Sequence, residues 1–134
     1  MMTSEQVRAV LETLAPTQEK VDLAVKAAVD IAQPSRVIVF GSWARGEAEW
    51  DSDVDLAVVV RDSAESQLTE IRRNLRRRLD QIPMTIDLVL TTEAYMAQFG
   101  DEINSIYYRI LKDGKVAYEQ RQTAGSPDAI DQGR

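Results

Sequence analysis

Cysteine and histidine are both absent from the 134 residues. Without cysteine there is no disulfide, no thiolate metal site and no Cys nucleophile, and without histidine the commonest general base and the usual zinc ligand are missing. Serine–histidine hydrolase chemistry is thereby excluded. Positive charge is also scarce, with 16 Lys plus Arg against 22 Asp plus Glu and a formal charge of −6. That balance argues against gripping nucleic acid over a broad basic surface. No stretch approaches the roughly 18 to 20 apolar residues of a membrane-spanning helix, and no charged-then-apolar leader opens the chain, so a cytoplasmic location is expected. What is present is a hydrophobic fraction of 44%, enough for one packed domain. Catalysis, if any, has to run on carboxylates, hydroxyls, Arg, Lys and hard metal ions.

The patterning predicts a single α/β domain over residues 1–119, a mixed sheet flanked by helices, and a flexible tail over 120–134. Thr3 with Gln6 forms a capping-box pattern opening a short helix through Leu14. A longer helix follows Thr17, with Val21, Ala24, Val25, Ala28, Val29 and Ala32 on one face, and ends at Pro34. Arg36–Phe40 reads as a strand buried on both faces, and Asp53–Val60 as a second strand. Ser63 to about Ile82 carries the helical stripe Leu68, Ile71, Leu75, Leu79 and Ile82, and Met84–Leu90 makes a third strand. Helices around 93–99 and 101–112 and a short strand at 116–118 complete the order α, α, β, β, α, β, α, α, β.

The chemistry concentrates between residues 40 and 56. Asp53 and Asp55 stand two apart on an expected strand, so both carboxylates project from one face. Their mutual repulsion would be relieved by a divalent cation, and Asp oxygens suit Mg²⁺, which binds through one or two carboxylates plus substrate phosphates. Asp87 lies inside the apolar run Ile86-Asp-Leu-Val-Leu90, where a carboxylate is costly without compensation. If that strand lies beside the Asp53 strand, three carboxylates converge as a two-metal phosphoryl-transfer site does. Upstream, Gly41 directly after a strand lets backbone N–H groups approach an anion. Trp43 to Ser52 reads as a turn-rich segment; if Ser42 opens a short helix there, its hydroxyl and the free N–H groups of that first turn face the same way, with Arg45 in reach of a phosphate oxygen.

These residues resemble the minimal nucleotidyltransferases of the DNA polymerase β superfamily, whose signature is Gly-Ser, a spacer and Asp-x-Asp. Gly41-Ser42, ten intervening residues and Asp53-Val54-Asp55 fit it, and Ala44, Arg45, Gly46, Ser52 and Leu56 extend the match. The motif core spans 37–90. The resemblance implies the family's nucleotidyltransferase core, with two Mg²⁺ held by Asp53, Asp55 and Asp87. It also implies a nucleoside triphosphate such as ATP, with its phosphates on Gly41 and Ser42. The implied reaction is attack of an acceptor hydroxyl on the α-phosphorus, releasing pyrophosphate. Some short relatives are antitoxins of small helical HEPN-type toxins and transfer AMP from ATP onto a toxin tyrosine, so a HEPN-type protein partner is implied. Two other readings stand beside this one: an antitoxin that masks its toxin by binding alone, and transfer to a small molecule. Position 43, often basic in such proteins, is Trp43 here.

The remaining features carry paired readings. Asp53 and Asp55 alone also suit a strand-end turn, Asp87 an edge strand facing solvent, and Arg45 an ion pair with Glu47 or Glu49. Trp43 and Trp50 are either stacking or partner surfaces, or they fold back over the core. The cluster Arg72, Arg73, Arg76, Arg77 and Arg78 is either a solvated helix face or a contact for an acidic partner or RNA. Tyr107 and Tyr108 are expected against the sheet.

Overall fold

The computed structural model describes residues 1–121, so the expected tail lies almost wholly outside the described residues. Helix α1 spans Ser4–Glu12, and Thr3 and Gln6 close the expected capping box, with Gln6 N–H donating to Thr3 Oγ1 at 3.1 Å and Thr3 N–H to Gln6 Oε1 at 2.8 Å. None of its residues is buried. Helix α2 spans Gln18–Ala32, capped by Thr17, and stops where Gln33 turns left-handed (φ 47°) before Pro34. The strands are β1 (Arg36–Phe40), β2 (Val54–Val60), β3 (Ile86–Thr92) and β4 (Lys115–Glu119). Between them lie α3 (Leu68–Leu79), α4 (Glu93–Phe99) and α5 (Ile106–Asp113).

The four strands form one mixed sheet in the order β3-β2-β1-β4, with β2 parallel to β3 and β1 antiparallel to both β2 and β4. Alternation along the strands sorts their side chains onto two faces. Val37, Val39, Leu56, Val58 and Val60 meet Ala24 and Ala28 of α2 and Leu75 and Leu79 of α3. Ile38, Phe40, Ala57 and Val59 meet Met96 of α4 and Ile110 of α5. Alanines on α2 let that helix lie close over the sheet. Burying Leu75 and Leu79 contributes about 1.5–3 kcal/mol each to the fold. Among the described residues, no helix is long and apolar enough to cross a membrane.

Several element boundaries differ from expectation, among them β2, which starts at Val54 and leaves Asp53 off the strand. The long helix from Ser63 begins instead as a 3₁₀ segment, Asp62–Gln67, and becomes α-helical only at Leu68. None of its opening residues is buried and only Ala64 packs against the core, so no apolar stripe holds them in α-helical register. The third strand starts at Ile86 rather than Met84 and runs to Thr92, because Val54 N–H donates to Thr85 C=O at 2.9 Å and ladder pairing then continues as far as Val60 and Thr92. Residues 101–105 form turns ahead of α5, whose cap is Ser105.

Candidate active site

Asp55 and Asp87 are in register across the parallel pair β2–β3, so their side chains leave the same face of neighbouring strands. On the other flank Asp55 faces Phe40, the last residue of β1. Gly41, the first residue of the connection 41–53 between those antiparallel strands, abuts the Asp55 carboxyl. Burial pushes the Asp55 carboxyl above the usual carboxylate range, and the charge of Asp87, a hydrogen bond shared with Asp87 and the charge of Asp53 push the same way. The Arg109 guanidinium of α5 acts in the opposite sense. Two acids in register on adjacent strands, one half-buried and one exposed, are relieved of their repulsion by a shared proton or a cation.

Gly41 has φ 78°, and a Cβ there would sit 2.0 Å from Asp55 Oδ2. Both facts require glycine: the left-handed backbone turns the chain away from β1, and the missing side chain leaves room for the carboxylate. The segment after it is a turn, as the turn-rich reading of 43–52 expects, and no helix opens at Ser42. Arg45 N–H donates to Gly41 C=O at 3.1 Å, Gly46 N–H to Trp43 C=O at 3.1 Å and Glu47 N–H to Ser42 C=O at 2.9 Å, after which the chain leaves the turn. Gly46 supplies that exit, with φ 75° and open space around it. One turn of chain is all that fits between two left-handed glycines. Even so, the N–H groups of Ser42, Trp43 and Ala44 have no acceptor among the described residues. Successive N–H groups left open in a turn make a concave anion site.

The other expected site residues are placed as follows. Asp53 precedes β2 and is exposed, close enough for its charge to act on Asp55. Among the described residues no three carboxylates gather closely enough to hold a metal ion, so the structure brings Asp55 and Asp87 together and leaves Asp53 at the rim. Asp87 is on the edge strand and exposed. Arg45 pairs with Glu47 Oε1 at 2.9 Å and with Asp113 Oδ2 of α5 at 3.3 Å. The Glu47 hydrogen bond and charge, with Asp113 assisting, hold its guanidinium pKa above the ordinary value against burial.

Neither tryptophan lies over the carboxylates. Trp43 packs against the core and lines a cavity of about 470 Å³ between α2, β1 and β4. Trp50 sits under the Arg8 guanidinium, 5.9 Å from the ring centroid. Tyr107 packs beside Ile110 and accepts a hydrogen bond from Thr91 Oγ1 at 3.3 Å, while Tyr108 lies 5.9 Å from the Lys112 ammonium. Arg109 was not foreseen. Its position one residue before the buried Ile110 gives the helix phase, but no local pattern says which strand that helix crosses.

The donor set fits a hard divalent cation: neighbouring carboxylates, of which Asp55 has its pKa raised by burial first and by Asp87 second, and an open N–H turn for accompanying phosphates. Residues 19–123 match the family described as Polymerase beta, Nucleotidyltransferase. No curated protein matches the sequence. One similar solved structure is a candidate nucleotidyltransferase from Sulfolobus solfataricus, 18% identical over 78% of this chain and 91% of that one, with a TM-score of 0.46. Another is a toxin–antitoxin with AMP-PNP, 22% identical over 79% of this chain and 76% of that one, with a TM-score of 0.47. By its match over residues 19–123 and its mixed four-stranded sheet between helices, the chain belongs to the polymerase beta nucleotidyltransferase family.

Proposed function

We propose that the protein transfers a nucleoside monophosphate, AMP from ATP, onto a hydroxyl of a partner protein, the partner being a HEPN-type toxin. The observation that carries the reading is the Asp55–Asp87 pair in register, with Gly41 kept bare against Asp55. The acceptor oxygen forms a bond to the α-phosphorus, the bond from that phosphorus to the bridging oxygen breaks, and pyrophosphate leaves with the electron pair. Asp87, exposed at the sheet edge, takes the acceptor's proton. The open N–H groups of Ser42, Trp43 and Ala44 hold the terminal phosphates, and Arg45 assists on leaving Glu47 and Asp113. Magnesium held by Asp55 and Asp87, with Asp53 swinging in from the rim, would neutralise the charge on the phosphates. Most of the rate then comes from positioning and charge neutralisation.

Labelling tests it. The protein, purified with whatever accompanies it from its native cells, is given Mg²⁺ and ATP labelled at the α-phosphate. Label is expected on a separate protein and absent with Asp53→Asn or Asp55→Asn. Undiminished transfer by both variants would defeat the assignment. The ion pairs that occupy Arg45 favour a second reading, an antitoxin that masks its partner by binding alone. A stable partner unlabelled by any of the four nucleotides would support it.

A further inference from the structure

Helix α3 carries five arginines in a chain whose formal charge is −6. The structure accounts for two of them. Arg78 Nη2 lies 3.6 Å from Asp30 Oδ2 of α2, which fixes one flank of the helix. Arg76 donates from Nη1 to Ile86 C=O at 2.9 Å and from Nε to Asp80 Oδ1 at 3.0 Å, which ties the other flank to the start of β3. Arg72, Arg73 and Arg77 are exposed, and none forms an ion pair among the described residues. At about 100° per residue, Arg72 falls on the β3 side above Arg76, while Arg73 and Arg77 form a row one turn apart beside it. The only carboxylates on the helix or at its C-cap are Glu70 and Asp80, and Asp80 is already held by Arg76.

We propose that this outward face of α3 is the docking surface for a protein partner presenting a helix with carboxylates one turn apart. The inference rests on the nucleotidyltransferase reading above and names how its acceptor is held. Planar guanidinium forks take carboxylates in a bidentate manner, and rows with helical spacing are complemented by another helix. Arg76 fixes α3 to Ile86, the residue before Asp87, so a partner seated on the row lies beside the edge strand and meets the Asp87 carboxyl, which leaves the opposite face of the sheet with Val89, by extending round that edge. A nucleic acid suits the face less well. α3 has no aromatic residue on which a base stacks, and the remaining surface is acidic enough to repel a long polyanion. A compact acidic patch avoids that repulsion, because the Debye length is about 8 Å at physiological salt.

The test uses the full chain and a fluorescein-labelled alanine-based helical peptide with glutamates spaced one turn apart. Anisotropy should show binding at 50 mM salt that weakens by about tenfold or more at 200 mM, as charge steering at a rim predicts. It should disappear in the triple variant Arg72→Gln, Arg73→Gln, Arg77→Gln and persist in Arg8→Gln. Equal binding by the triple variant, or none by the parent protein, overturns the proposal. So does tighter binding of a 20-nucleotide oligouridine than of the peptide, which would reassign the face to RNA. Thermal stabilisation by ATP with Mg²⁺ should be the same in the triple variant and the parent. Its absence from the parent would count against the nucleotidyltransferase reading and leave the docking result to stand alone.

Discussion

Replacing Asp55 with asparagine should stabilise the metal-free protein while removing its function. Asp55 and Asp87 share register on adjacent strands, and the Asp55 pKa is raised by burial and by Asp87. A carboxyl whose folded-state pKa is raised ionises at a greater cost in the fold than in the unfolded chain. The penalty is absent below the unfolded pKa and fully present above the folded one. Two unit charges about 4 Å apart repel by roughly 4 kcal/mol at an effective dielectric of 20 and roughly 1 kcal/mol in water. Asp55 is half-buried and Asp87 exposed, so solvent screening brings the net penalty to about 1–2 kcal/mol. For a domain of this size, Asp55→Asn should raise the melting midpoint at pH 7.5 by about 4–8 °C, with the gain vanishing near pH 3. Magnesium should reverse the order. At ten times its dissociation constant it stabilises the parent by about 1.4 kcal/mol and the variant hardly at all. Differential scanning calorimetry with and without Mg²⁺ reads both effects. A variant that melts no higher than the parent at pH 7.5 would show that the two carboxylates do not repel, and the site chemistry derived from them would fall.

Gly41→Ala combines a left-handed backbone with a contact on Asp55 and should cost about 1–3 kcal/mol, measured by urea unfolding; an alanine variant as stable as the parent would refute the close packing. Burial opposes ionisation of Glu93, but hydrogen bonds from Arg36 and Ser35 with the Arg36 charge outweigh it and hold the carboxyl below the usual range. Its contribution is therefore present above the unfolded pKa and lost as pH falls through the folded one. Glu93→Gln should cost about 1 kcal/mol at pH 7 and nothing at low pH, and a loss that failed to fade on acidification would contradict this. Asp113→Asn, by loosening Arg45, should tighten binding of a non-hydrolysable ATP analogue in fluorescence titration; weakened binding would mean that Asp113 positions Arg45 productively. Leu75→Ala, at a fully buried position under the sheet, should cost about 2–5 kcal/mol by the same urea assay.

The parts of the fold legible in the sequence were those set by local pattern. Alternating and continuous apolar runs placed Arg36–Phe40 and the stripe Leu68, Ile71, Leu75 and Leu79, the cap Thr3 stands where it was expected, and the long helix does follow Thr17. Boundaries drifted where tertiary pairing decides them, as at Ile86, whose strand is timed by its neighbour and not by its own residues. In the site, the spacing of Gly41, Asp55 and Asp87 was readable because strand periodicity fixes which face a side chain leaves. Arg109 and the Arg45–Asp113 pair were not. Each depends on how α5 and residues 41–53 are laid over the sheet, a long-range choice without a short-range signature.

Calorimetric titration of a non-hydrolysable ATP analogue into the parent, Asp55→Asn and Asp87→Asn proteins, with and without Mg²⁺, decides whether the paired carboxylates hold the metal that the nucleotide needs. Binding by the parent should require Mg²⁺ and weaken at least about tenfold, or about 1.4 kcal/mol, on either substitution. Equal affinity in all three proteins, or binding indifferent to Mg²⁺, would contradict it.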